Sequence, residues 1–223
     1  MVNVNQKVWQ VYLLLIFAPV VLFLATMVTI FILFGFPPAN FDNNVLVAHL
    51  KFPIMATEWF LVLIVISFLK FKKAEILQLG LHPKKWWLEL LIGVVFFFIL
   101  WGVVNYLIFP FLRIFKLSHG PGSGFDINFS KVGIFISIVT SLTAAFCEEI
   151  VWRGYALKYL SKIHHRSIIA LFISSIFFGL FHWGYGPSGC LSTAIIGGFL
   201  GIIVLWRRNL WSVILIHFLV DFL

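Results

Sequence analysis

Residues 8–36 read VWQVYLLLIFAPVVLFLATMVTIFILFGF, a run without one charged side chain. A helix rises about 1.5 Å per residue and a bilayer core is roughly 30 Å thick, so about 20 such residues suffice to cross it. The run is too long for the apolar part of a signal peptide and no A-x-A-like cleavage site follows, so it reads as a retained membrane helix. The rest of the chain has the same character. Of 223 residues, 62% are hydrophobic and 11% charged, and the mean hydropathy is +1.07. A water-soluble core of this size has no room for 27 Phe and 9 Trp, whereas hydrocarbon accepts apolar side chains on the outside of a protein as readily as inside. The expected fold is all-α, a polytopic membrane bundle forming one domain over residues 1–223.

Outward from the first run, six further apolar stretches follow: about residues 45–69, holding Glu58; 86–111, holding Glu89; 132–151, continuing as helix toward Lys158; 167–183; 190–206; and 210–223. About seven crossings are expected. Lys7, then Lys70, Lys72, Lys73, Lys84 and Lys85, then Lys158, Lys162 and Arg166, then Arg207 and Arg208 all fall on one side of that topology. Only Lys51, Arg113, Lys116 and Lys131 fall on the other. The positive-inside bias puts the N-terminus in the cytoplasm and the C-terminus outside, in a multi-pass protein of the cell membrane, with a composition that hints at a bacterium. The same bias accounts for the net charge of +8; charges this sparse build no basic groove, and nucleic acid is not an expected partner. Residues 118–130, with Gly120-Pro121-Gly122-Ser123-Gly124, read as an outer loop. Gly197 and Gly201, four apart, let a neighbouring helix approach closely. Cys147 and Cys190 do not make a disulfide framework.

An ionisable side chain in mid-membrane costs several kcal/mol, about 2.5–3.5 on insertion scales, so each one needs a partner or a task. Three clusters stand out: Glu148-Glu149-Ile150-Val151-Trp152-Arg153 at the end of the fourth run, Phe178-Gly179-Leu180-Phe181-His182 in the fifth, and His217-Phe218-Leu219-Val220-Asp221 in the seventh. Glu149 and Arg153 share a helix face and can form an ion pair. Glu148 is rotated by about 100° from them and is left to point into the bundle. Phe178 lies one turn before His182 and can pack under its ring, and His217 shares a face with Asp221. Counted in helical rise from the cytoplasmic charges, Glu148, His182 and His217 converge toward mid-depth. A carboxylate there can take a proton from water, His182 can hold the same water, and His217 with Asp221 can steady an oxyanion, which together amount to peptide hydrolysis inside the membrane.

These ordered motifs, Glu148-Glu149-x-x-x-Arg153, Phe178-x-x-x-His182 and His217-x-x-x-Asp221, resemble the signature of the CPBP intramembrane metalloprotease family, also called Abi, which includes CAAX prenyl endopeptidases and proteins of bacteriocin processing and immunity. The resemblance spans about residues 131–223. It implies a glutamate-dependent protease in which Glu148 and His182 activate water, His217 and Asp221 stabilise the oxyanion, and Glu149, Arg153 and Phe178 support them. Asp221 departs from the Asn often found at its place, so a donor role for it requires a proton or action through His217.

Other readings are weaker. A Zn²⁺ version with Glu148, His182 and His217 as ligands lacks an H-E-x-x-H, so no metal or other cofactor is expected. Gly186-Pro187-Ser188-Gly189 matches the G-x-S-G of rhomboid proteases, but it reads as an outer loop and leaves the paired glutamates unexplained. A non-enzymatic reading, a peptide-binding or bacteriocin-immunity protein, uses the polar cavity without hydrolysis. Expected partners are a membrane-associated peptide or protein substrate and the lipid bilayer. Cys147 reads as a packing thiol, and His164 and His165 as solvated loop residues.

Overall fold

The first apolar run forms α1, Val4–Phe34, and its two sides show what surrounds it. Val11, Leu14, Leu15 and Ala18 are fully covered, an i, i+3, i+4, i+7 stripe turned to the protein. Ile16, Val20, Leu24, Val28 and Ile32 form a four-residue ladder on the other side, and all are exposed. Aliphatic side chains in that position face lipid. The computed structural model describes residues 4–35, 43–70, 72–83, 85–114 and 131–223. The expected loop at 118–130, Lys84 and Lys116 lie outside the described residues.

The chain continues through α2 (Asn43–Phe68), the short α3 (Lys73–Leu77) and α4 (Trp86–Val103). Helix α4 runs through a π turn, Val104–Ile108, into α5 (Phe109–Ile114). Helix α6 (Lys131–Glu148) passes without a break through a π segment, Glu149–Leu157, into α7 (Lys158–His164). Helices α8 (Ser167–Phe181), α9 (Gly186–Arg207) and α10 (Trp211–Phe222) complete it, and there is no strand among the described residues. Five spans are long and apolar enough to cross a membrane: Val8–Phe34, His49–Phe68, Trp86–Ile114, Gly133–His164 and Trp183–Arg207. Helices α8 and α10 are apolar but shorter. The protein is an all-α, multi-pass membrane bundle.

Three details differ from the sequence expectation. The fourth helix does not end near Lys158 but reaches His164, where His165 turns left-handed at φ 52°. Gly186 to Gly189 are the first turn of α9 rather than a loop. Pro187 is tolerated there because the first turn has no intrahelical acceptor for its missing N–H, and Ser188 is fully buried. His164 is not solvated; it is half-buried, and its Nε2 lies 2.7 Å from the Tyr12 hydroxyl of α1.

Packing places the last helix at the centre, since α10 lies against both α4 and α6. Helix α8 packs on α9 and α7, α1 on α2, and α2 on α6. Glycines set the closest approaches. A Cβ at Gly93 of α4 would lie 2.7 Å from Leu215 of α10, and Gly197 and Gly201 bring α9 onto Phe178 and Leu171 of α8. At the end carrying Arg207 the loop after α3 straps the helices together. The Gly80 carbonyl accepts from Leu210 N at 2.9 Å and the Gln78 carbonyl from Lys158 Nζ at 2.8 Å. The Leu81 carbonyl accepts from Trp211 Nε1 at 2.9 Å. Arg207 Nη2 reaches Glu89 Oε1 at 2.7 Å, joining α9 to α4.

Candidate active site

The π segment carries a buried ion pair. Its i→i+5 bonding widens the helix, a form that recurs at functional sites. All nine of its residues are buried, whereas a lipid-facing helix keeps one side exposed. Glu149 and Arg153 are enclosed here, and Arg153 Nη1 donates to Glu149 Oε1 at 2.7 Å. The same oxygen meets His217 Nδ1 at 2.9 Å, which ties α10 to the segment.

Phe178 does more than pack beneath an imidazole. The Arg153 guanidinium sits 4.1 Å from its ring centroid, an arrangement that gives the cation an aromatic face in place of water. The rings of His182 and His217 rest against the same phenyl group at 4.8 and 6.1 Å between centroids. Its carbonyl oxygen lies 2.9 Å from His182 Nδ1. A carbonyl only accepts, so Nδ1 carries the hydrogen, and in the neutral ring Nε2 holds the lone pair. Gly197 makes room for this: a Cβ there would lie 2.7 Å from Phe178 and 3.1 Å from Arg153 Nη2.

Glu148, the last residue of α6, is buried and, among the described residues, makes no hydrogen bond to Arg153. Its Oε2 is 3.9 Å from His182 Nε2 and 3.9 Å from His217 Nε2. His217 Nε2 lies 3.3 Å from Asp221 Oδ2, whose side chain is 35% exposed. With one nitrogen turned to Glu149 and the other to Asp221, His217 has a carboxylate at both ends and is placed to donate from both, as the charged ring does. Glu148, Glu149, Arg153, Phe178, His182, His217 and Asp221 thus meet at one place, drawn from α6, the π segment, α8 and α10.

Residues 130–223 match the family model of type II CAAX prenyl endopeptidases, Rce1-like. The match agrees with the CPBP resemblance of the three motifs. It takes in every helix from α6 to α10 and none of α1 to α5. No curated protein and no solved structure matches the chain. The similarity of this region is to a protease of the CAAX type.

The prenyl-endopeptidase-like region does not line its cleft alone. Glu58 of α2, outside the match, is 2% exposed and faces a narrow cleft together with Leu61, Cys147, Glu148, Val151, Trp152 and Phe181. The sequence holds one signal for it: a lone carboxylate in the second apolar run, which membrane insertion makes costly. The Glu149–His217 contact left no such trace, because residues 68 apart in sequence reveal no pairing by spacing. Cys147 is wholly buried in the cleft wall. Among the described residues no three His, Cys, Asp or Glu side chains are grouped to hold a metal ion.

Proposed function

We propose that the protein is an intramembrane endopeptidase that hydrolyses a peptide bond in a membrane-associated peptide or protein. Glu148 and His182 activate the water, and His217 with Asp221 steadies the oxyanion. The observation that carries this reading is the position of Glu148 Oε2, 3.9 Å from the Nε2 atoms of both His182 and His217. That spacing is too long for direct hydrogen bonds and of the length that one water bridging Glu148 to an imidazole would span.

The chemistry follows from each group's donor capacity. The His182 lone pair accepts one water hydrogen while Glu148 removes the other, and the water oxygen attacks the peptide carbon. The carbonyl oxygen becomes negative and is met by the Nε2–H of His217, which it shares with Asp221, while Glu149 holds the ring in orientation. Asp221, able only to accept when ionised, acts through His217 rather than on the oxyanion. The proton on Glu148 then passes to the leaving nitrogen as the C–N bond breaks. Glu149, Arg153 and Phe178 hold this arrangement without touching substrate. No step calls on a metal, and His217, with a carboxylate at each nitrogen, is arranged as a hydrogen-bond donor rather than a ligand.

The test uses purified protein in phosphatidylcholine vesicles with an internally quenched CAAX peptide, farnesylated in one arm and unprenylated in the other. Glu148→Gln should remove cleavage in whichever arm the wild type cleaves, while membrane insertion is unchanged. Turnover retained by that variant would sink the reading. Chelator treatment should leave the wild-type rate unaltered.

A further inference from the structure

The acidic side chains buried in the bundle fall into two kinds. Glu89 is held by Arg207 and Glu149 by Arg153, each at 2.7 Å, so a guanidinium answers each charge. Glu58 and Glu148 are different. They come from separate helices, α2 and α6, to line the same narrow cleft, and no guanidinium among the described residues bonds either one; the Oε2 of each is buried without a hydrogen-bond partner, as is the second oxygen of Glu89 and of Glu149. The groups in electrostatic reach of Glu58 are Glu148 and Cys147 of α6, His217 and Asp221 of α10, and Tyr185 of the turn between α8 and α9. Arg153 is already committed to Glu149. Glu58, Glu148 and Asp221 thus gather around His217, with the His182 ring beside Glu148.

Two neighbouring carboxylates in an apolar cleft repel one another in a medium that screens weakly, and a shared proton relieves the repulsion while satisfying both orphaned oxygens. We propose that Glu58 is a positioning residue of the site: its carboxyl group keeps a proton, donates it as a hydrogen bond to Glu148, and so holds that carboxylate as the acceptor for the water's proton. The catalytic half of this statement rests on the protease reading above; the shared proton does not. The N-terminal helices thereby contribute a working residue to a site whose motifs all lie beyond residue 130.

Two measurements test it. With the quenched CAAX peptides in phosphatidylcholine vesicles, Glu58→Leu removes the donor and should lower kcat by about ten- to a hundredfold, the span of a hydrogen bond to a charged group, with KM changed by less than about twofold. Glu58→Gln keeps an N–H donor and should recover kcat to within about threefold of wild type. Wild-type kcat in Glu58→Leu, or loss in Glu58→Gln equal to that in Glu58→Leu, would overturn the proposal. Infrared spectroscopy needs no substrate: at neutral pH the wild type should show the C=O stretch of a protonated carboxyl group that Glu58→Gln lacks. An undiminished band in that variant would also overturn it. If the wild type cleaves neither peptide and the band is nonetheless lost in Glu58→Gln, the CAAX substrate class is refuted and the shared proton is supported.

Discussion

Helix α1 and the π segment Glu149–Leu157 meet the bilayer in opposite ways. In α1 a stripe of Val11, Leu14, Leu15 and Ala18 touches protein, and the ladder from Ile16 to Ile32 is left to lipid. In the π segment all nine residues are enclosed, two of them charged. The difference shows how a bundle so poor in charge can keep an ion pair at all. Lipid replaces protein around an apolar helix at little cost, but it offers no partner to a guanidinium or a carboxylate. The charged stretch is therefore surrounded completely by α2, α7, α8, α9 and neighbouring parts of α1 and α6, and apolar helices such as α1 serve as the outer wall.

The contrast can be broken from either side. The largest effect is expected from Glu148→Gln, which removes the proposed proton acceptor and should cost about a thousandfold or more in kcat with the protein still folded, read by peptide cleavage against a thermal-unfolding control. Next is Arg153→Leu, which leaves Glu149 buried without its guanidinium. A loss of about 3–5 kcal/mol is expected, visible as a lowered unfolding midpoint in detergent, and Glu149→Leu added to it should restore part of that loss. Gly197→Val places methyl groups where Phe178 and Arg153 already lie; about 1–3 kcal/mol should be lost, with activity falling alongside stability because both rings of the site rest on Phe178. Leu14→Ala on the covered stripe of α1 should cost about 1–2 kcal/mol, since lipid is as apolar as the protein interior and only packing is lost. Ile16→Ala, on the lipid side of the same turn, should change the midpoint by less than about 0.5 kcal/mol. Equal costs at Leu14 and Ile16 would erase the distinction between the two faces.

The helices and the three motifs were legible because both depend on composition: apolar runs of crossing length, and ionisable residues that hydrocarbon penalises. What escaped depends on the fold. Residues 149–157 contain nothing that distinguishes an i→i+5 ladder from an α-helix. Gly186-Pro187-Ser188-Gly189 has the composition of a turn and of a helix start alike, and only the covering of Ser188 decides between them. The expectation for His164 failed because Tyr12, far away in sequence, lies beside it. Glu58 was visible as a charge out of place, but a single carboxylate carries no spacing from which a neighbour can be read.

The wide segment also bears on how this chain can change length. An i→i+5 ring holds one residue more than an α-helical ring, so deleting one residue between positions 150 and 156 lets the ladder close as ordinary α-helix. The helix survives such a deletion and nearly keeps its phase, because the wide turns wind through less than 100° per residue and the extra residue makes up the difference. The same loss from the α-helical part of α6 would turn everything after the cut by about 100° relative to everything before it, taking Lys158 away from the Gln78 carbonyl. The surplus residue is absorbed within the wide turns, so the chain can shorten by one residue here with α6 and α7 still in register, as it cannot in the α-helical turns on either side.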